Sequence, residues 1–148
     1  MKIRIFFLTM IMLGSGIARA DVQSDTACYV HVPHDEVSKH IRFVVRSYFD
    51  NDLKKEIGAF VQYNGSKEII PLVFTKYVAT DTDSPGLGNY EISRIEINNK
   101  KVTGEYIFYQ TGAGHTQGKY VKYINEKTGK TTSFMETDAD DPSCKINK

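Results

Sequence analysis

Histidines and acids are the first residues to test for chemistry. His31, His34 and His40 fall close together, beside Asp35 and Glu36. Imidazoles with carboxylates form ligand sets for zinc or copper. The spacing argues against one here. His34 and His40 are six residues apart, which puts them on different faces of a helix, and His31 precedes Pro33 and falls outside that helix. A solvated helix start accounts for all three, so no metal and no other cofactor is expected. Asp81 and Asp83 lie in a polar loop, and Asp138, Asp140 and Asp141 lie in the tail. Neither setting holds a general acid and base at a fixed separation. The acids around Asp81 lack the glycine and terminal glutamate of an EF-hand. Ser66 and Ser84 are turn residues beside Gly65 and Pro85-Gly86, not the centre of a GxSxG elbow. No coherent catalytic set emerges, and a non-enzymatic role is expected.

Binding surfaces are better represented. The segment Gly112-Ala113-Gly114-His115-Thr116-Gln117-Gly118 is glycine-rich and carries the fourth histidine. Glycine lets a backbone turn sharply or approach a ligand closely, and loops on a rigid sheet often carry function. The segment is no phosphate-binding loop, because no GK[ST] and no helix follow. Gly112, Gly114, His115, Thr116 and Gln117 are therefore taken as a contact loop. Tyr109, Tyr120 and Tyr123 join them, on the strands that flank it. Tyrosine offers contact area at low entropic cost, although it is also a good strand residue. By strand alternation Tyr106 and Phe108 share one face, Ile107 and Tyr109 the other, and Tyr120 and Tyr123 point oppositely. Lys119, Lys122, Lys127 and Lys130 border the region and would suit an acidic partner.

The start of the chain gives an address. Lys2 and Arg4 precede an apolar run from Ile5 to Leu13, and Ala18-Arg19-Ala20 places small residues at the positions a signal peptidase reads. Residues 1–20 read as a signal peptide, cleaved after Ala20. The apolar run is too short to span a bilayer, and no later segment is apolar enough to do so. Removing Lys2, Arg4 and Arg19 leaves 16 basic and 18 acidic residues, a formal charge of −2, which removes the electrostatic case for nucleic acid. Periplasmic or secreted localisation follows. In an oxidising compartment two cysteines most often pair, and Cys28 with Cys144 is the one intramolecular pairing. Such a loop is worth about 4–5 kcal/mol in the chain-entropy account.

Residues 21–148 are one domain's length, and 41% hydrophobic residues suffice for a core. Residues 21–33 read as an irregular leader. Over 34–49, Val37, Ile41, Val44, Val45 and Tyr48 form one helical stripe, with Asp35 and Glu36 in its first turn. The competing reading is a strand using Ile41, Phe43 and Val45. Six strands are expected beyond Lys54. Ile57, Ala59, Val61 and Tyr63 alternate, and Asn64-Gly65 is a tight-turn signal. Ile69–Val78 suits a strand buried on both faces, with Pro71 marking an edge or a strand start. Tyr90–Ile97, Val102–Thr111, Lys119–Ile124 and Thr131–Glu136 complete the set.

The expected fold is α+β, one N-terminal helix on a curved antiparallel sheet of about six strands. A small all-β barrel is the alternative if 34–49 is a strand. The run Val45-Arg46-Ser47-Tyr48-Phe49 before Asp50-Asn51-Asp52 is similar to the end of the first helix in nuclear-transport-factor-like chains. The helix-then-sheet plan also resembles cystatin-like folds and, in architecture, small periplasmic inhibitors and immunity proteins. That resemblance implies an exported protein that masks a protein partner such as a cell-wall hydrolase or a toxin. The alternatives are a small-molecule carrier or enzyme with a pocket between helix and sheet, and a secreted effector or toxin.

Overall fold

The computed structural model describes residues 21–31, 41–79, 89–111, 118–137 and Cys144. Eight strands follow in chain order: β1 (Val22–Val30), β2 (Arg42–Asp50), β3 (Lys55–Tyr63), β4 (Ile70–Ala79), β5 (Tyr90–Asn98), β6 (Lys101–Thr111), β7 (Gly118–Asn125) and β8 (Thr131–Thr137). Each is antiparallel to the next, and β8 pairs with β1 to close an up-and-down barrel.

The α+β expectation is therefore corrected to the all-β barrel. Arg42–Asp50 is a strand, and residues 34–40 of the expected helix lie outside the described residues. The apolar positions of this stretch fit both periods. The strand wins because Phe43, Val45 and Ser47 alternate with Val44, Arg46 and Tyr48, and each finds a cross-strand partner on β1 and β3. The similarity to a helix ending at Val45–Phe49 thus has no counterpart. The leader expected over 21–33 is largely β1. Its first half is polar because it lies at the hydrated end of the barrel. The tight turn read at Asn64-Gly65 is present, with Gly65 at φ 78°; between β5 and β6, Asn99 and Lys100 adopt φ 49° and 63°, as a two-residue hairpin loop of the primed type requires. Asp50 ends β2 by accepting the backbone N–H groups of Asp52 and Leu53.

The inward-facing residues make the core. Tyr29, Phe43, Val45, Val61, Leu72, Tyr106, Phe108, Val121 and Phe134 are all buried in one cluster. Phe43 stands at its centre, with ring contacts to Tyr29, Tyr63, Tyr106 and Phe134. A smaller cluster lies on the outer wall, where Val44 packs with the disulfide-bonded Cys28 and Cys144.

Three bulges change which residues face inwards. On β3 the register slips so that Tyr48 faces Gly58 but Phe49 faces Glu56. Ile57, inward by simple alternation, is 49% exposed, and Glu56 turns in instead. On β4 the register moves from Phe74↔Arg94 to Lys76↔Ser93, which brings Phe74 and Tyr77 to the same side. On β6 the slip at Thr103 turns its hydroxyl toward Glu96. Such extra residues re-aim side chains and sharpen the local twist.

Two seams are thin. β1 and β8 share the pairs Cys28↔Thr137, Tyr29↔Glu136 and Val30↔Met135. β3 and β4 share Ala59↔Leu72, Phe60↔Pro71 and Val61↔Ile70. Cys28 staples the first seam to the tail through Cys144. At the second, Pro71 lacks an N–H for the ladder, and beyond it the strands part. This corrects the expectation that Ile69–Val78 is buried on both faces: Leu72 is buried, whereas Val73, Phe74 and Tyr77 are exposed.

Gly104 is a packing requirement. A methyl group placed there would lie 2.3 Å from the Tyr123 ring. Gly104→Ala should lower stability by about 1–3 kcal/mol through overpacking, read from the urea midpoint. Pairing it with Tyr123→Leu should recover part of the loss.

Candidate functional site

The barrel interior has two halves of different character. At one end, where the β1–β2, β3–β4, β5–β6 and β7–β8 connections lie, the aromatic cluster fills the space. Its buried carboxylate, Glu96, is satisfied by hydroxyls: Thr103 Oγ1 donates to Oε1 at 2.5 Å, Tyr106 to Oε2 at 2.9 Å, and Tyr123 to Oε1 at 3.5 Å. Because Tyr106 donates to Glu96, the Tyr63 hydroxyl donates to the Tyr106 oxygen, 2.6 Å away. This chain of hydroxyls closes the end of the barrel without leaving a buried polar atom unpaired, which would be costly. His31 belongs to the same end, with Nδ1 donating to the Ser133 carbonyl at 2.8 Å and its ring against Phe134.

The opposite end is a cup of about 100 Å³. Tyr29, Arg94 and Phe108 form its floor, Ala27, Val45 and Ile92 its apolar wall, and Asp25, Ser47, Tyr90, Gln110, Lys119 and Glu136 its upper wall. Strand alternation explains the set. Residues 25, 27 and 29 share a face of β1, and residues 90, 92 and 94 share a face of β5. Across the mouth Tyr90 donates to Gln110 Oε1, and Lys119 Nζ lies 3.5 Å from Glu136 Oε1.

Arg94 is the pivotal residue. It is 6% exposed, in the middle of the barrel. Its Nε donates to Glu56 Oε1 at 2.9 Å and its Nη2 to Glu56 Oε2, the two-pronged geometry that guanidinium favours. Its Cζ stands 4.6 Å from the Phe108 ring centroid, a cation–π contact that a desolvated site strengthens. The ion pair crosses the interior from β3 to β5, spanning the place where β3 and β4 part. Arg94 lines the cup floor, and Glu56 lines a separate space on the β3–β4 side.

The interior tyrosines hold their protons. Burial pushes the Tyr63 hydroxyl up to about 12. Burial raises Tyr29 strongly, with the nearby Glu136 charge adding to it. Tyr106 is raised further, again by burial first and then by Tyr63 and Glu96. At neutral pH these groups are hydrogen-bond donors, so Tyr29 offers the cup a donor rather than a charge.

The residues singled out from sequence are divided by this geometry. Tyr109 and Tyr120 face outwards and stack, with ring centroids 4.5 Å apart and planes 7° from parallel, and Lys122 Nζ lies 5.1 Å from the Tyr109 centroid. Tyr109 also borders the cup. Tyr123 faces inwards at the filled end, beside Tyr106, and is not brought together with the other two. Gly112, Gly114, His115, Thr116 and Gln117 lie outside the described residues, as do His34, His40, Asp81, Asp83, Asp138, Asp140 and Asp141. The described residues on either side of that segment, Thr111 and Gly118, pair directly above Gln110↔Lys119. Among the described residues no three histidines, cysteines or acids converge as a metal site. Cys28 and Cys144 are bonded, with Cα atoms 5.7 Å apart, as an oxidising compartment favours.

Arg94, Glu56, Tyr29 and Tyr90 escaped the sequence reading. One signal was available. Ile92, Arg94 and Glu96 share a strand face by period two, and a charge between such neighbours marks an interior polar site. Glu56 carried no such signal, since only the bulge turns it inwards. No protein-family model, curated protein or solved structure matches the chain.

Glu56→Gln leaves the Arg94 guanidinium buried without its countercharge and should cost about 3–5 kcal/mol. Replacing both residues by methionine should recover most of it, and equilibrium urea unfolding of the three proteins tests this. The tyrosines set an alkaline limit. Unfolded tyrosine ionises near pH ~10, so the unfolded chain sheds these protons first. Stability is full below about pH 10 and falls as pH rises from there through about 12. Tyrosinate absorbance from Tyr29, Tyr63 and Tyr106 should rise together with loss of the sheet signal in circular dichroism. Tyr63→Phe should make the fall shallower.

Proposed function

We propose that this protein binds a small molecule inside the barrel, as a carrier or scavenger outside the cytoplasm. One observation carries the reading: half of the barrel is filled by the buried aromatic cluster, and the other half keeps an open cup in which polar groups converge beside an apolar wall. Sites for small molecules have this composition. The signal-like residues 1–20 and the Cys28–Cys144 bond support an exported location, periplasmic or secreted. The cup favours this reading over masking of a protein partner, for which an outward-facing surface would be required.

The cup limits its guest. A space of about 100 Å³ suits a molecule of roughly the size of one ring, since an apolar cavity of about 150 Å³ accommodates benzene. Arg94, with one face covered by Phe108 and its fork held by Glu56, offers little free charge. The guest is recognised instead by Tyr29, Tyr90, Gln110 and Ser47, with Lys119, Asp25 and Glu136 at the rim. That pattern fits a compact polar molecule carrying both donors and acceptors, with one apolar face toward Ala27, Val45 and Ile92.

The test is a thermal-shift screen of small polar ring compounds against disulfide-intact 21–148, with Ala27→Phe as the filled-cup control. A compound that raises the melting temperature of the wild type and not of the folded variant supports the reading. A wild type that responds to none of them, or a response that survives filling the cup, defeats it.

A further inference from the structure

A second space opens through the barrel wall, not through its mouth. Beyond Ala59↔Leu72, β3 stays on β2 and β4 stays on β5, leaving a lateral slit. Its volume is about 570 Å³, in the range of sites for drug-sized molecules. The sequence builds it with the Pro71 break and the two bulges. The bulge at Thr75 places Phe74 and Tyr77 on the same side, where alternation alone would separate them. Tyr77 stacks on Tyr90, with centroids 5.7 Å apart. Phe49 and Ile92 complete an apolar lining. Phe49, Phe74 and Tyr77 are all substantially exposed, so the slit presents a continuous aromatic surface to water. A contiguous exposed aromatic surface of this kind marks a binding site.

Charge selects the occupant. Glu56 lines the slit, but its carboxylate is neutralised by Arg94. Lys54 and Lys55 also line it and are exposed, with no carboxylate within ion-pair distance among the described residues. The net result is an aromatic slot with two ammonium groups at its entrance. We infer that this slit binds an anionic amphiphile, its chain or ring between Phe49, Phe74 and Tyr77 and its acidic head at Lys54 and Lys55. This site is distinct from the cup, although both use the Tyr90–Ile92 face of β5 as a wall.

The experiment uses 11-(dansylamino)undecanoate fluorescence with disulfide-intact 21–148, and dodecanoate, dodecanol and dodecyltrimethylammonium as competitors below their micelle concentrations. Saturable probe binding is expected, displaced by dodecanoate and poorly by the cation. Lys54→Glu with Lys55→Glu, both exposed and harmless to the core, should weaken dodecanoate by about tenfold or more, the scale of one or two partly solvated charge contacts, and leave dodecanol unchanged. Phe74→Ser should weaken dodecanoate and dodecanol alike. Absence of saturable binding overturns the inference, and so does equal competition by the cation or dodecanoate affinity that survives the charge reversal. Ala27→Phe separates the two sites. It should abolish small-ring binding in the cup and preserve the dansyl probe, so either site can fail alone.

Discussion

A guanidinium in the centre of a barrel has to be neutralised where it stands. Arg94 is only 6% exposed, and desolvating a charge without a partner is among the largest penalties in folding. The requirement fixes Glu56, and Glu56 in turn fixes the bulge that rotates it inwards. The bulge lies beyond the last β3–β4 pair, Ala59↔Leu72, where the two strands part after Pro71 and the slit opens. On the other side of the pair, Arg94 lies with Tyr29 and Phe108 at the floor of the cup. Cup and slit thus meet at one ion pair, with Arg94 on the cup side and Glu56 on the slit side. An isosteric apolar pair in this place would build a tighter barrel with less room inside.

On the proposed reading, the two ends of the molecule divide stability and binding between them. The filled end holds the ring stack around Phe43, and its single buried acid is caged by three hydroxyls. That arrangement is rigid because each hydroxyl is oriented by the next. The open end places polar residues on strands that the filled end holds in register. A binding site gains precision when its side chains stand on elements fixed elsewhere, and the eight strands run through both halves.

Much of the strand order was legible in the sequence, and the reasons for the failures are local. β5 to β8 were readable because alternation, short turns and the Asn and Gly residues between them agree. The stretch 42–49 was misread because Ile41, Val44, Val45 and Tyr48 satisfy a helical stripe as well as a strand. Only the pairing partners on β1 and β3 distinguish the two, and those are distant in sequence. β1 was missed because its hydrated half has almost no apolar residues. The outward stack of Tyr109 on Tyr120 follows from period two, whereas the inward turn of Glu56 does not. A bulge reverses the phase of everything beyond it, and no residue type announces it at Ile57 or Thr75. Interior sites built on bulges are therefore the part of a barrel that a periodic reading places on the wrong side.

The Cys28–Cys144 bond also has a topological meaning. Hydrogen bonding makes the sheet a closed ring, and the disulfide makes the backbone between those residues, 116 positions apart, a closed ring as well. A protease that cuts one connection within it therefore releases no fragment. The pieces stay in one molecule, held at high effective concentration and already threaded through paired neighbours. Such a barrel must be cut twice to be taken apart, so a single cleavage does not by itself put the fold at risk.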